Sequence, residues 1–142
     1  MIIVTDTSRI IEKIERGNLD KYFRECEVSG NRILLDSRVF AELDGQLDDP
    51  EQKEKLHLLI NEKIASGVII SSRHRYTLKK TFKELFHRLK NMPVHLSTTD
   101  RHLIALSIQE DAYLDTTDTG IIRALSILKI SKNPWRRYMG LE

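Results

Sequence analysis

The stretch Ile2-Ile3-Val4-Thr5-Asp6-Thr7-Ser8-Arg9-Ile10-Ile11 decides how this chain is read. A short apolar run enters a cluster of hydroxyls around one acid, and Ile10, Ile11 and Ile14 then recur at helical spacing. That is a buried strand turning directly into a capped helix, with Asp6 at the strand's C-terminal end. Two later stretches repeat the pattern. Val94 to Leu96, read as strand, leads through Ser97-Thr98-Thr99 to Asp100 and a helix carrying Leu103, Ile104, Leu106 and Ile108. Ala112 to Asp115, also read as strand, leads through Thr116-Thr117-Asp118 to a helix carrying Ile121, Ile122, Leu125 and Leu128.

Gly17 stops the first helix, Leu19, Tyr22 and Phe23 start a second short one, and the loop from Val28 to Asn31 releases a strand over Arg32 to Leu35. Ser37 reads as the cap of the next helix, where Val39, Phe40 and Leu43 share a face and Glu42 falls in the first two turns. Asp49 followed by Pro50 opens another helix, buried by Leu56, Leu59, Ile60 and Ile64 and ended by Gly67. Val68 to Ile70 reads as a short strand or an apolar loop. Leu78, Phe82, Leu85, Phe86 and Leu89 mark one amphipathic helix running to Lys90, with Pro93 beyond it, and Ile130 begins a last short strand. Short strands alternating with longer helices predict βαβ units, a mostly parallel sheet and a three-layer α/β/α sandwich. In such sheets ligands bind beyond the C-terminal ends of the strands, which is where Asp6, Asp100 and Asp118 fall.

The bulk properties narrow the function classes. At 142 residues the chain is read as one domain over 1–142, and 40% hydrophobic with 31% charged residues is ordinary globular composition. Its apolar runs are too short to cross a membrane, and Asp6 interrupts the N-terminal one too early for a secretory signal. The one cysteine, Cys26, permits no internal disulfide and no thiolate cluster for zinc, so a cytoplasmic protein is expected. The net charge is +2, yet Arg73 to Lys90 holds seven Lys and Arg against the single acid Glu84. Such a local excess can hold a polyanion.

Taken singly, an Asp at a helix start is commonly only a cap, and Glu42 looks like a solvated helix residue. Gathered in one cleft, four carboxylates repel one another unless protons or cations lie between them. With oxygen donors alone, the cation is a hard one, Mg²⁺ or Mn²⁺, which keeps waters and leaves room for phosphate oxygens. Phosphodiester hydrolysis follows from that chemistry.

These positions resemble the PIN-domain nucleases, particularly the toxin-type members represented by VapC proteins, over nearly the whole chain. Ile2-Ile3-Val4-Thr5-Asp6-Thr7-Ser8 is similar to the family's opening strand, and Val39-Phe40-Ala41-Glu42-Leu43 to the helix that supplies its glutamate. Asp100-Arg101-His102-Leu103-Ile104-Ala105-Leu106-Ser107 resembles the third acidic element, and Leu114-Asp115-Thr116-Thr117-Asp118 the last. The resemblance implies a PIN-like fold and a Mg²⁺- or Mn²⁺-dependent endoribonuclease, the toxin of a toxin–antitoxin pair. It implies Asp6, Glu42, Asp100 and Asp118 as metal-binding and catalytic residues, with Thr7, Ser8 and Thr116 positioning a carboxylate or a water. It also implies an RNA substrate, an antitoxin protein partner and a homodimer. Two positions depart from the family pattern. Asp115 stands where an apolar residue is usual and reads as an acid at a strand end or a further group supporting the metal. Thr119-Gly120 stands where a basic residue is frequent.

Arg73, Arg75, Lys79, Lys80 and Lys83, with Tyr76 among them, read either as an RNA-contacting surface or as a solvated helix face. The tail from Asn133 to Tyr138 joins Trp135 and Tyr138 to Arg136 and Arg137, a mixture found at interfaces and at nucleic-acid sites. None of the five scattered histidines is assigned to catalysis, His102 being the one worth testing. Alternatives are a PIN nuclease of ribosomal RNA maturation, a non-catalytic RNA-binding domain of the same fold, and a phosphate-receiver domain, which would need a pair of acids where Asp6 is followed by Thr7-Ser8.

Overall fold

Consecutive residues of a strand point to opposite faces of a sheet, so a strand buried at every position must be covered on both sides. Val4, Thr5, Ile33, Leu34 and Leu35 are all buried in this way. The computed structural model describes residues 1–72 and 75–128, and the side chains of all of these except 72 and 75–77. Among them β1 (Ile2–Thr5), β2 (Arg32–Asp36), β3 (Ile69–Ser72) and β4 (Tyr113–Asp115) form a parallel sheet in the order β3-β2-β1-β4. Register places Val4 beside Leu34 and Leu114, and Thr5 beside Asp115. All four strands therefore end on one edge.

The helices α1 (Thr7–Glu15), α2 (Leu19–Val28), α3 (Ser37–Gln46), α4 (Pro50–Ala65), α5 (Arg75–Thr81), α6 (Lys83–Lys90), α7 (Thr98–Gln109) and α8 (Thr119–Ile127) supply the covering layers. α7 lies on β1 and β4 and carries α5 and α6, α2 packs on β2 and on α1, and α4 packs on β3. The result is the expected three-layer α/β/α architecture. Leu103 to Ile108 of α7 are buried without a gap, as suits a helix enclosed on all sides. The fully buried hydroxyl of Ser107 donates to the Leu103 carbonyl at 2.8 Å.

Local expectations change in four places. Asp36, not Ser37, caps α3, because its carboxylate accepts from the Arg38 N–H at 2.8 Å while Ser37 is already helical. The basic segment expected as one helix breaks at Phe82, whose φ of −110° and ψ of 43° separate α5 from α6. Residues 94–96 are not strand, since the sheet edge beside β1 is filled by β4. Residues 69–72 are strand, settling the ambiguous run in favour of β3. Arg73, the strand expected from Ile130 and the Trp135 to Tyr138 tail lie outside the described residues.

Candidate functional site

Of the four candidate acids, Asp6, Asp100 and Asp118 are placed by a helix start. Asp6 is the N-cap of α1, with Oδ1 accepting from the Arg9 N–H at 3.0 Å, and Asp118 is the N-cap of α8, with Oδ1 accepting from the Ile121 N–H at 2.9 Å. Asp100 closes a capping box on α7. Its Oδ2 accepts from the Ser97 N–H at 2.9 Å, and the Ser97 hydroxyl accepts from the Asp100 N–H at 3.1 Å. Glu42, two turns into α3, accepts from the Thr7 hydroxyl at 2.6 Å. The capping role and a shared site are thus compatible: β1, β2 and β4 end on one edge and deliver the starts of α1, α3 and α8, and the start of α7 meets them there.

Asp6, Glu42, Asp100 and Asp118 line one cavity of about 340 Å³, together with Thr7, Ser8 and Thr99. Asp6 is the most deeply set, 3% exposed, and both its oxygens are engaged by Ser8. Thr116 donates to Asp6 Oδ2 and accepts from the Asp118 N–H at 3.0 Å, so one hydroxyl ties the two acids. Burial raises the carboxyl pKa of Asp6 above its ordinary value, and the Asp118 charge adds to the rise. Burial likewise raises Asp100, with Asp118 and Glu42 adding repulsion. The carboxylates feel one another across the cavity, as they should if it is to attract a cation.

The donor set fits a hard divalent ion. One oxygen each of Glu42, Asp100 and Asp118 has no hydrogen-bond partner among the described residues. No three His, Cys, Asp or Glu side chains among the described residues are gathered closely enough to enclose an ion. Mg²⁺ commonly takes only one or two protein carboxylates and completes its shell with water and phosphate oxygens, so an open arrangement of this kind suits it.

Several residues are placed differently from one another. Asp115 does not line the cavity; its carboxylate takes Arg9 Nε at 3.2 Å and the Tyr22 hydroxyl at 2.9 Å. Tyr22 is held protonated there, its pKa pushed upward by burial and by Asp115. Glu12 and Glu15 of α1 join the acidic wall, which sequence reading missed. Their signal was the spacing of Ser8, Glu12 and Glu15 along one helical face. Asp36, 2% exposed at the end of β2, repeats the strand-end pattern of Asp6 but caps α3 without lining the cavity.

A second, larger groove of about 850 Å³ is lined by Lys79 of α5, by Lys83, Arg88 and Lys90 of α6, and by Thr98, Arg101 and His102 of α7. The first turn of α7 therefore lines both the basic groove and the acidic cavity. Lys80 is exposed but does not line the groove, and Arg75 lies on α5. His102 is buried, its Nδ1 lying 2.7 Å from Arg38 Nη1 and 2.8 Å from the Thr98 carbonyl oxygen, with its ring edge-on to Phe86. Burial, with the Arg38 charge, lowers its pKa and keeps the ring neutral.

Gly120 sets the mouth of α8. A Cβ there would stand 3.0 Å from Asp118 Oδ1 and 3.0 Å from the His95 carbonyl oxygen. Gly→Ala in a helix ordinarily gains up to about 1 kcal/mol. Gly120→Ala is expected to lose stability instead, by about 1 kcal/mol, because a backbone carbonyl cannot swing away. Urea unfolding checks this; a gain would mean that the contact relaxes freely.

No protein-family model matches the sequence, and no curated protein matches it. Among solved structures, the chain is similar to one in the crystal structure of VapBC2 from Rickettsia felis bound to a DNA fragment from their promoter. The TM-score is 0.64 at 20% identity, over 93% of this chain and 95% of that one. The likeness shows the fold, a PIN-like three-layer sandwich, across nearly its whole length.

Proposed function

We propose that this chain is a single-domain, Mg²⁺- or Mn²⁺-dependent endoribonuclease. The observation that carries the reading is the meeting of Asp6, Glu42, Asp100 and Asp118 around one cavity at the C-terminal edge of a parallel sheet, beside a basic groove.

Glu42, Asp100 and Asp118 each offer a free oxygen, of which one or two would hold the ion directly and the others through its bound waters. Asp6, fixed by Ser8, the Arg9 N–H and Thr116, supplies a buried charge behind them. Thr7 aims Glu42, and Thr116 keeps Asp118 in register with Asp6. When bound, Mg²⁺ or Mn²⁺ supplies a Lewis acid for a phosphate oxygen and lowers the pKa of a water. Lys79, Lys83 and Arg101 hold the neighbouring phosphates of the RNA, so that one diester reaches the acids across the first turn of α7. The fold shared with a VapBC2 chain supports a role as the toxin of a toxin–antitoxin pair, with an antitoxin partner. A homodimeric state and a cytoplasmic location belong to the same proposal. Among the described residues no helix is long and apolar enough to cross a membrane.

The capping bonds of the same acids favour a second reading, a domain that binds RNA without cutting it. Incubating purified protein with a mixed transfer-RNA and ribosomal-RNA pool separates the two. Discrete products with Mn²⁺ or Mg²⁺, lost on adding EDTA, support the nuclease. Retarded but intact RNA supports the binding domain.

A further inference from the structure

Among the four acids the hydrogen bonds are unevenly shared. Asp6 and Asp118 are joined through Thr116, and Glu42 is joined to Thr7, the residue after Asp6. Among the described residues Asp100 bonds only within its own helix turn, to Ser97. α7, which carries Asp100, packs on β1, β4, α5 and α6, whereas α3, which carries Glu42, packs on α1 and β2. The sheet already ties the two helices together, α7 through β1 and α3 through the neighbouring β2, and a direct tie between them would come from side chains.

One side-chain pair spans that gap. Arg38 lies one helical turn before Glu42 on α3, and its Nη1 is 2.7 Å from Nδ1 of His102, two residues after Asp100 on α7. A guanidinium has only N–H donors, and Nδ1 also lies 2.8 Å from the Thr98 carbonyl oxygen, which can only accept, so the bond from Arg38 belongs to the tautomer with its proton on Nε2 and the Thr98 bond to the other. Phe86 packs edge-on against the same ring at 4.9 Å and holds its plane. At 100° per residue, His102 projects from α7 about 200° from Asp100, so the strut grips the helix from behind the cavity it sets.

We propose that Arg38 and His102 are positioning residues whose hydrogen bond fixes the separation of Glu42 and Asp100, and with it the affinity of the cavity for a divalent cation. The inference rests on the metal site proposed above. Coulomb's law alone gives the opposite sign for Arg38, because removing a positive charge near an acidic cavity should tighten cation binding.

The test is Mn²⁺ titration calorimetry on wild type, Arg38→Ala, His102→Ala and the double variant, without RNA, with thermal unfolding to confirm folding. Each alanine is expected to weaken Mn²⁺ binding by about 10- to 100-fold, as loss of groups that orient metal ligands commonly does. The double variant should be no weaker than the worse single one, since both break one bond. Arg38→Gln, which retains an N–H donor without the charge and is the fallback where an alanine variant fails to fold, should bind close to wild type. Unchanged or tighter binding in Arg38→Ala, losses that multiply in the double variant, or Arg38→Gln binding no better than the alanine would overturn the strut. Wild type taking up no Mn²⁺ would overturn the cation site and the strut with it.

Discussion

Asp6→Asn should abolish metal-dependent RNA cleavage while leaving the metal-free protein at least as stable as wild type. A bound divalent ion supplies several kcal/mol of transition-state stabilisation, so losing its use costs on the order of a thousandfold in rate. The stability half follows from the sign of the pKa shift. Burial raises the folded-state pKa of Asp6 above 3.8. The folded state therefore holds this proton more tightly than the unfolded chain, and the stability so gained is present below 3.8 and lost as pH rises through the folded value. At neutral pH the charged carboxylate is a burden that asparagine removes. Asparagine also caps helices as well as aspartate, and the hydroxyls of Ser8 and Thr116 can accept from its amide. RNA cleavage assays and thermal unfolding in EDTA check both halves. A variant that melts well below wild type would mean that Asp6 serves the fold alone.

Replacing Lys79 and Lys83 together by alanine should weaken RNA binding and flatten its dependence on salt. Both side chains line the basic groove. Each phosphate contact to a single strand contributes about 0.7 to the slope of log affinity against log salt, so losing two lowers it by about 1.4. Over one decade of salt that amounts to roughly 25-fold. Lys80→Ala, exposed on the same helix but outside the groove, should change both quantities little. Filter binding in EDTA across a salt series reads the slope. An unchanged slope in the double variant would move the RNA path away from this groove.

The helix starts at Asp6, Asp100 and Asp118 were legible because capping is local chemistry: a short polar side chain just before an apolar helical period marks a helix start and, where it follows a parallel strand as at Asp6 and Asp118, the ligand-binding edge as well. Glu42 was legible only through resemblance, since nothing local shows that Thr7, 35 residues earlier, will hold it. The break at Phe82 was hidden because Leu78, Phe82, Phe86 and Leu89 keep a helical period through it. Residues 94–96 look like a strand by composition, but strand pairing is a tertiary property, and β4 occupies the place beside β1. The Arg38–His102 bond spans 64 residues and has no local signal, and sequence reading could do no more than single out His102 by its nearness to Asp100.

The central claim is that the four carboxylates act as one cation site, and thermal unfolding with and without Mn²⁺, on wild type and on Asp6→Asn/Asp100→Asn, tests it most directly. A ligand bound only by the folded state at 100 times its dissociation constant adds about 2.7 kcal/mol of stability. The account predicts that Mn²⁺ raises the wild-type midpoint by several degrees and leaves that of the double variant where EDTA puts it. An equal Mn²⁺ shift in both proteins, or none in wild type, would contradict it.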